Sequence, residues 1–359
     1  MDDSLKDSLV QLSITSLMDC LSEINKKEKF IKEIPTEEHS KIVKFMRQES
    51  SVIALRDFHN WIKLVLITNI RKLVPKKKVN LLDVSVGRGG DLIKWNKAGI
   101  TSVFGFDSSV DSINGRDPEN PGAKMRLKNL KGYGVDVEFH VGDATRPLGD
   151  VRTDTPEVVS KINNFLEKRK IKGFDIVSCQ FALHYFFISE IALKNALTLI
   201  SKSLLPGGYF VGTTIDSENI KNYFEYLPPE IKVFKKNLYR IEKFFSDKIK
   251  SPYGNKYTFT IYDIFDKTNY FNTTGTSTEY LVSFQTLNKL ANEVGLEPVF
   301  LNLFEPYDNG FTSTQSNVIT FREIYELGKW KPKSGTRQIT PEELELSFLN
   351  SVFVFRKKQ

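Results

Sequence analysis

The sequence predicts an α/β fold, a mostly parallel β-sheet with helices on both faces, and an inserted β-rich subregion. Three features predict it. Between Val79 and Ile215, short apolar runs of strand length alternate with segments of helical periodicity. The run "NLLDVSVGRGGDLIKW" passes from an apolar stretch through a glycine turn straight into a helix. After Ser217 the alternation gives way to short aromatic segments, "KYTFTIYDI", "EYLVSF" and "SVFVFRK", which read as strands of the insert and a C-terminal strand completing the sheet.

In chain order, residues 1–50 carry apolar positions at helical spacing in "SLVQLSITSLMDCLSEI" and then the charged break "NKKEKFIKEIP". They read as an N-terminal helical extension. "VIALRDFHNWIKLVLITNIRKLV" predicts a long amphipathic helix leading through "PKKK" to the first strand, "VNLLDVSV". Further strands are "VFGFD", "DVEFHVGD", "FDIVSCQ" and "GYFVGTTI", with helices around "TPEVVSKINNFLEKRK" and "EIALKNALTLISKSL". From Asp107 to Tyr133 only a polar stretch is legible. Ligands of such sheets bind beyond the carboxyl ends of the strands, which here points to Ser85, Asp107, Asp143 and Gln180.

The glycine turn narrows the ligand. A dinucleotide site requires G-x-G-x-x-G after the strand, whereas this turn reads Ser85, Val86, Gly87, Arg88, Gly89, Gly90, Asp91. The first glycine is missing, and Asp91 stands where a helix N-terminus would face phosphate. A ligand without phosphates fits better. Asp83 lies within the first strand, and Asp107 ends the second, where an aspartate can accept from both hydroxyls of a ribose. The ligand therefore carries a nucleoside, and S-adenosylmethionine is the leading candidate.

At 359 residues, with 40% hydrophobic and 12% aromatic side chains, the chain can build a sizeable core. Its formal net charge of +7 is compatible with a polyanionic partner and does not require one. Two distant cysteines, Cys20 and Cys179, and four scattered histidines show no metal-ligand spacing. These features imply a reducing compartment and no structural metal. The start, "MDDSLKDSLVQL", is not basic then apolar, and no apolar run is long enough to span a membrane. Neither secretion nor membrane insertion is expected.

Four stretches, "LRDFHNWIK", "LLDVSVGRGGDLIKW", "SCQFALHYFF" and "PGGYFVGTT", together resemble the mRNA cap guanine-N7 methyltransferases of eukaryotes and large DNA viruses. The resemblance is strong over residues 53–215 and weaker through "TEYLVSFQTLNKLANEVGL" to "VFVFRK". It implies a class I S-adenosylmethionine-dependent methyltransferase, Rossmann-like, over residues 51–359. The cofactor-binding core would be 51–215, with the cap-facing insert and C-terminal strands in 216–359. The family's roles, carried over, give a cofactor set of Lys63, Ser85, Gly87, Asp107, Asp143, Gln180 and Tyr185. Lys63 would meet the methionine carboxylate, Asp107 the ribose hydroxyls and Asp143 the adenine amino group. The cap-binding set is His59, Asn60, Arg88, Asp91, His184 and Glu279, with His184 and Tyr185 on one side of the guanosine and His59 and Asn60 on the other. Two positions depart from the family: Ser85 stands where the first glycine is usual, and Asn350 where a tyrosine is frequent. Arg88 replaces a lysine and keeps a charge able to pair with triphosphate oxygens.

The implied reaction is transfer of a methyl group to guanine N7 of the 5′ GpppN cap. That nitrogen has a free lone pair and no proton to lose, so the reaction needs positioning by His184, Tyr185 and Glu279 rather than a general acid or base, and no metal. The resemblance implies capped RNA as substrate, a triphosphatase/guanylyltransferase enzyme or domain as partner, a stimulatory subunit, and an intracellular site in nucleus or cytoplasm of a host cell, or in a virion. The insert after Asp107, "SINGRDPENPGAKMRLKNL", suggests a viral capping enzyme, and no K-x-D-G guanylyltransferase motif occurs. Two other readings stay open: a weakly active or inactive methyltransferase-like subunit that binds capped RNA or a capping partner, and a class I enzyme acting on another nucleophile.

Overall fold

The computed structural model describes residues 50–116, 120–146, 158–262, 276–307 and 310–359, and every structural statement below concerns these residues. Apart from residues 50–53, they form one compact unit. The expected N-terminal extension, residues 1–50, lies outside them except for Ser50.

Helix α1 (Ile53–Lys72) enters first, its apolar positions Phe58, Ile62, Leu66, Ile67 and Ile70 buried against the sheet and Arg71 and Lys72 in its last turn. The main sheet follows: β1 (Asn80–Val84), α2 (Leu92–Lys97), β2 (Ser102–Asp107), α3 (Val110–Asn114), α4 (Ala123–Lys128), β3 (Asp136–Val141), α5 (Val158–Arg169) and β4 (Phe174–Gln180). Next come α6 (Leu183–Phe186), α7 (Glu190–Ser203), β5 (Leu204–Ile215) and α8 (Ser217–Glu225). The insert is β6 (Val233–Lys235), β7 (Tyr239–Lys243), β8 (Lys256–Ile261) and β9 (Thr276–Tyr280), an antiparallel sheet in chain order. After it come α9 (Phe284–Glu293), β10 (Leu296–Pro298), the hairpin β11 (Leu301–Tyr307) and β12 (Gly310–Ser313), β13 (Val318–Thr320), α10 (Phe321–Glu326), α11 (Pro341–Ser347) and β14 (Asn350–Lys357).

The large sheet runs β10-β14-β5-β4-β1-β2-β3, with β13 also paired to β14. Strands β1 to β5 are mutually parallel, and β14 runs antiparallel to β5. This is the predicted parallel sheet completed by a C-terminal strand, the class I methyltransferase arrangement. Chain order reverses between β1 and β4, the switch point where open α/β sheets bind ligands. Two apolar layers, one against α1 and α2 and one against α5 and α7, bury both faces, which is why β1 and β4 read as unbroken apolar runs. Gly212, in β5, is enforced by packing: a Cβ there would fall 1.9 Å from the Cys179 carbonyl oxygen.

Three sequence expectations are corrected. The strand expected over "EYLVSF" lies earlier, at Thr276–Tyr280, because the Ser283 hydroxyl accepts from Thr286 N–H and starts α9, which buries Leu287, Leu290 and Ala291. The polar stretch after Asp107 contains α3, capped by the Ser109 hydroxyl, and α4. The first strand is shorter than "VNLLDVSV", ending at Val84 because Ser85 turns the chain.

Candidate active site

The site is built at the carboxyl ends of the two central strands. Ser85 follows β1 with φ 66°, and Phe181 follows β4 with φ 55°. Two non-glycine residues in the left-handed region, directly after adjacent strands, mark a strained rim. Below it a polar chain crosses three strands. Asp83 stands opposite Ser178, Gln180 Nε2 donates to the Ser178 hydroxyl at 3.1 Å, and Thr213 Oγ1 donates to Gln180 Oε1 at 3.1 Å. Asp83 Oδ2 is buried without a hydrogen-bond partner. Burial, then the Asp91 carboxylate, holds the Asp83 carboxyl well above the usual range.

The glycine turn is organised by Asp107. Gly87 N–H donates to Asp107 Oδ2 at 2.9 Å, and Ser109 N–H donates to Oδ1 at 2.9 Å. Burial raises the Asp107 carboxyl, opposed by these two donors. Each oxygen retains a lone pair. A Cβ built on Gly87, itself at φ 54°, would meet nothing within 4 Å, so the turn is open on that side. Arg88 is tied to the adjoining loop through Nη1, which donates to the carbonyls of Asn120 at 3.0 Å and Pro121 at 3.4 Å. Asp143 accepts from Thr145 N–H at 2.9 Å and Thr145 Oγ1 at 2.7 Å, closing a turn after β3.

Behind the turn, Asp91 Oδ1 pairs with Lys63 Nζ at 2.7 Å and Lys94 Nζ at 2.8 Å, all three buried. Burial alone would raise the Asp91 carboxyl, but the two ammoniums outweigh it and hold it well below the carboxylate range. His59, from α1, receives or donates a bond with Ser347 Oγ at 2.8 Å and stacks on Phe181 at 5.2 Å between ring centroids. Burial and the Lys63 ammonium lower its imidazole to about 3, so it is neutral. Asn60 lies beside it on α1, half-buried.

The short helix α6 brings His184 and Tyr185 to the end of β4, their rings 4.2 Å apart. His184 is 3% exposed, and neither ring nitrogen has a hydrogen-bond partner. Its Nε2 lies 3.8 Å from Glu279 Oε1, beyond hydrogen-bond reach. Burial lowers the His184 imidazole despite the opposing carboxylate. Tyr185 is 41% exposed. Glu279, in β9, is buried and oriented by two hydroxyls: Tyr257, directly across in β8, donates to Oε2 at 2.8 Å, and Ser277 donates to Oε1 at 2.5 Å. Burial, then Glu279, raises the Tyr257 phenol far above its usual value, so it remains a donor.

The sequence-predicted residues thus form two groups, a turn-side group of Ser85, Gly87 and Asp107 with Lys63 and Asp91 behind it, and His184, Tyr185 and Glu279 at the insert. Asn350 is buried at the start of β14, its amide donating to the Ser347 carbonyl at 3.1 Å. Phe181, Tyr257, Ser277 and Lys94 escaped the sequence reading. The sole local signal for Phe181 is its place directly after the strand-ending Gln180, and the Tyr257 pairing depends on a register that no local pattern gives. Among the described residues no cluster of three or more His, Cys, Asp or Glu side chains is set to hold a metal, and no helix is long and apolar enough to cross a membrane.

Residues 23–358 match the family model of the mRNA (guanine-N(7))-methyltransferase domain. The mRNA cap guanine-N(7) methyltransferase of Schizosaccharomyces pombe is 30% identical over 316 residues, covering 87% of this chain and 78% of that protein. Arabidopsis thaliana mRNA cap guanine-N(7) methyltransferase 1 is 31% identical over 318 residues, covering 87% and 77%. The Saccharomyces cerevisiae protein of the same name is 33% identical over 343 residues, covering 87% and 66%. Among solved structures, an S-adenosylmethionine-dependent methyltransferase from Clostridium acetobutylicum aligns at TM-score 0.46 and 10% identity, covering 84% of this chain and 93% of that one. With a family match spanning nearly all of its length, the chain belongs to the mRNA (guanine-N(7))-methyltransferase domain family.

Proposed function

We propose that this chain methylates N7 of the guanosine in the 5′ GpppN cap of mRNA, using S-adenosylmethionine. The observation that carries the reading is Glu279: a buried carboxylate held by two hydroxyls, with lone pairs to spare, beside a neutral histidine whose ring nitrogens are both unpartnered. Guanine presents two donors side by side, N1–H and the 2-amino group, which a carboxylate accepts together, and adenine offers no such pair.

The cofactor's residues fit it. Asp107 retains acceptor capacity for ribose hydroxyls, the Gly87 face is open for close approach, and the Lys63–Asp91–Lys94 cluster carries more cation than anion, which suits a methionine carboxylate. Ser85, Gln180 and Tyr185 complete this wall, and Asp143 would serve the adenine from its turn. Bound S-adenosylmethionine supplies an electrophilic methyl group. Guanine N7 attacks with its own lone pair, so the chain's contribution is alignment and exclusion of water rather than proton transfer. Neutral His184 and His59 put no positive charge beside a reaction that starts from a sulfonium, and Glu279 adds a favourable negative one.

On the cap side His184, Glu279, His59 and Asn60 would contact the nucleoside. Arg88 would reach the triphosphate with nitrogens other than the Nη1 committed to loop carbonyls. Asp91 is better read as the partner of Lys63 than as a cap contact, since both nearby ammoniums share its Oδ1. Capped RNA is the substrate in this reading, and an enzyme that forms the GpppN end must act first. A stimulatory subunit, the extension in residues 1–50 and a viral origin, suggested by the insert after Asp107, are parts of the proposal carried by sequence alone.

The deciding assay is transfer of labelled methyl to GpppA-RNA, with ApppG-RNA as control. Transfer to the first confirms the enzyme. Cofactor and capped-RNA binding without transfer would instead support the binding subunit, and methylation of both substrates at the penultimate nucleotide would mean another nucleophile.

A further inference from the structure

The positive charge is concentrated. Residues 230–256 hold eight Lys and Arg side chains against three acidic ones, much of the chain's net +7. Part of it is neutralised within the fold: Lys236 pairs with Glu345 at 3.0 Å, Arg240 with Glu242 at 2.6 Å, and buried Lys243 with Asp247 at 2.6 Å. Lys232, Lys248 and Lys250 are exposed, and among the described residues no carboxylate lies within ion-pair distance of them. Exposed Lys256 holds its ammonium 4.8 Å from the ring centroid of Phe244, which is itself 53% exposed.

These side chains share one end of the insert. Lys243 N–H donates to the Lys232 carbonyl at 2.8 Å and Phe244 N–H to the Lys256 carbonyl at 3.0 Å, so Lys232, Phe244 and Lys256 stand on neighbouring strand ends. The loop from Phe244 to Asn255, which carries Lys248 and Lys250, leaves from that end. It is fastened to the candidate site at two points: Gly254 N–H donates to the Phe187 carbonyl at 2.9 Å, and Leu281 N–H donates to the Asn255 carbonyl at 3.0 Å. Phe187 is two residues beyond Tyr185, and Leu281 two beyond Glu279. A basic loop with an exposed ring therefore borders the pocket that would hold the cap.

We propose that Lys232, Lys248, Lys250 and Lys256, with the Phe244 ring, bind the RNA chain immediately 3′ of the cap, the lysines meeting phosphodiesters and the ring stacking one base. The proposal rests on the cap-methylation reading. Unneutralised cations interleaved with an exposed aromatic suit single-stranded nucleic acid, whose every nucleotide offers a phosphate and a π-face. An acidic protein would use the charges but leave the ring unexplained.

The test compares the chain with its K232A/K248A/K250A variant and, separately, Phe244→Ala, after checking that thermal midpoints are unchanged. Fluorescent uncapped oligouridylate is titrated at several salt concentrations. The triple variant should bind about 10- to 100-fold more weakly at low salt, and its log–log salt slope should fall by about 2, at roughly 0.7 per lost single-strand phosphate contact. Phe244→Ala should weaken binding about 10-fold with the slope unchanged. In methylation assays KM for a capped RNA should rise while kinetics on the GpppG dinucleotide stay constant. Unaltered oligouridylate affinity and slope would overturn the proposal, as would loss of polyglutamate binding with RNA affinity intact, which assigns the patch to an acidic protein. If none of the three proteins methylates GpppG, the cap reading fails, while the oligouridylate titration still decides this one.

Discussion

Lys63 Nζ lies 2.7 Å from Asp91 Oδ1, and Lys94 shares the same oxygen at 2.8 Å, so one buried carboxylate holds two buried ammoniums. Removing it leaves like charges facing each other out of water. Asp91→Ala is expected to cost about 3 to 5 kcal/mol of stability and to abolish cofactor binding. The double variant with Lys94→Met should recover part of the loss, since it removes one uncompensated charge. Urea denaturation and calorimetric titration of S-adenosylmethionine measure both effects. A loss below about 1 kcal/mol would show that the cluster is well solvated in solution.

Ser85 holds φ 66°, a conformation that costs an L-residue about 1 to 2 kcal/mol and a glycine little. Ser85→Gly gives back up to about 1 kcal/mol of that through a looser unfolded chain. The variant should be as stable as the native chain or about 1 kcal/mol more so, with cofactor affinity equal or tighter. A clear drop in affinity would give the Ser85 hydroxyl a contact role of its own.

Glu279→Gln turns one acceptor oxygen into a donor, both at the proposed guanine edge and against the Tyr257 and Ser277 hydroxyls. The expected cost is about 2 to 4 kcal/mol in kcat/KM on GpppA-RNA, roughly 30- to 1000-fold, because a desolvated donor loses its acceptor. Cofactor affinity should barely move. Tyr257→Phe should cost about 10-fold, as the carboxylate loses one of its two orienting donors. Near-native turnover of Glu279→Gln rejects the guanine role, and an equal loss of cofactor binding assigns the residue to the fold.

The His59 imidazole is lowered to about 3 by burial and then by the Lys63 ammonium. A base lowered in the folded state takes up its proton more readily when unfolded, so its contribution is full above the ordinary histidine value of 6.5 and declines as pH falls from there toward about 3. Urea midpoints of the native chain should therefore drop between about pH 7 and pH 5 more steeply than those of His59→Gln. Parallel pH profiles would mean that His59 is solvated enough to protonate in the fold.

Asp107 is the point at which cofactor and fold are hardest to separate, because its oxygens also hold the Gly87 and Ser109 amides. Asp107→Asn keeps an acceptor for one amide and should lose about 1 to 2 kcal/mol of stability while weakening S-adenosylmethionine about 100-fold. Calorimetry with unchanged affinity would remove the ribose assignment.

By itself the sequence determined the sheet and the side of it that matters. Strand and helix periods are local properties of the chain, so β4 is legible residue for residue in "FDIVSCQ", and Ser85, Asp107 and Gln180 are seen to fall at strand ends. Ser283 caps α9, yet the apolar run "YLV" just before it extends the strand pattern and masks the switch from strand to helix in the sequence. What only the tertiary structure decided is which side chains meet. Lys63 and Asp91 come from α1 and the turn after β1, and Tyr257 reaches Glu279 through the register of β8 and β9, across a separation of 22 residues. Such pairings are fixed by packing and strand register, which couple residues remote in the chain, and no periodicity within either segment encodes them.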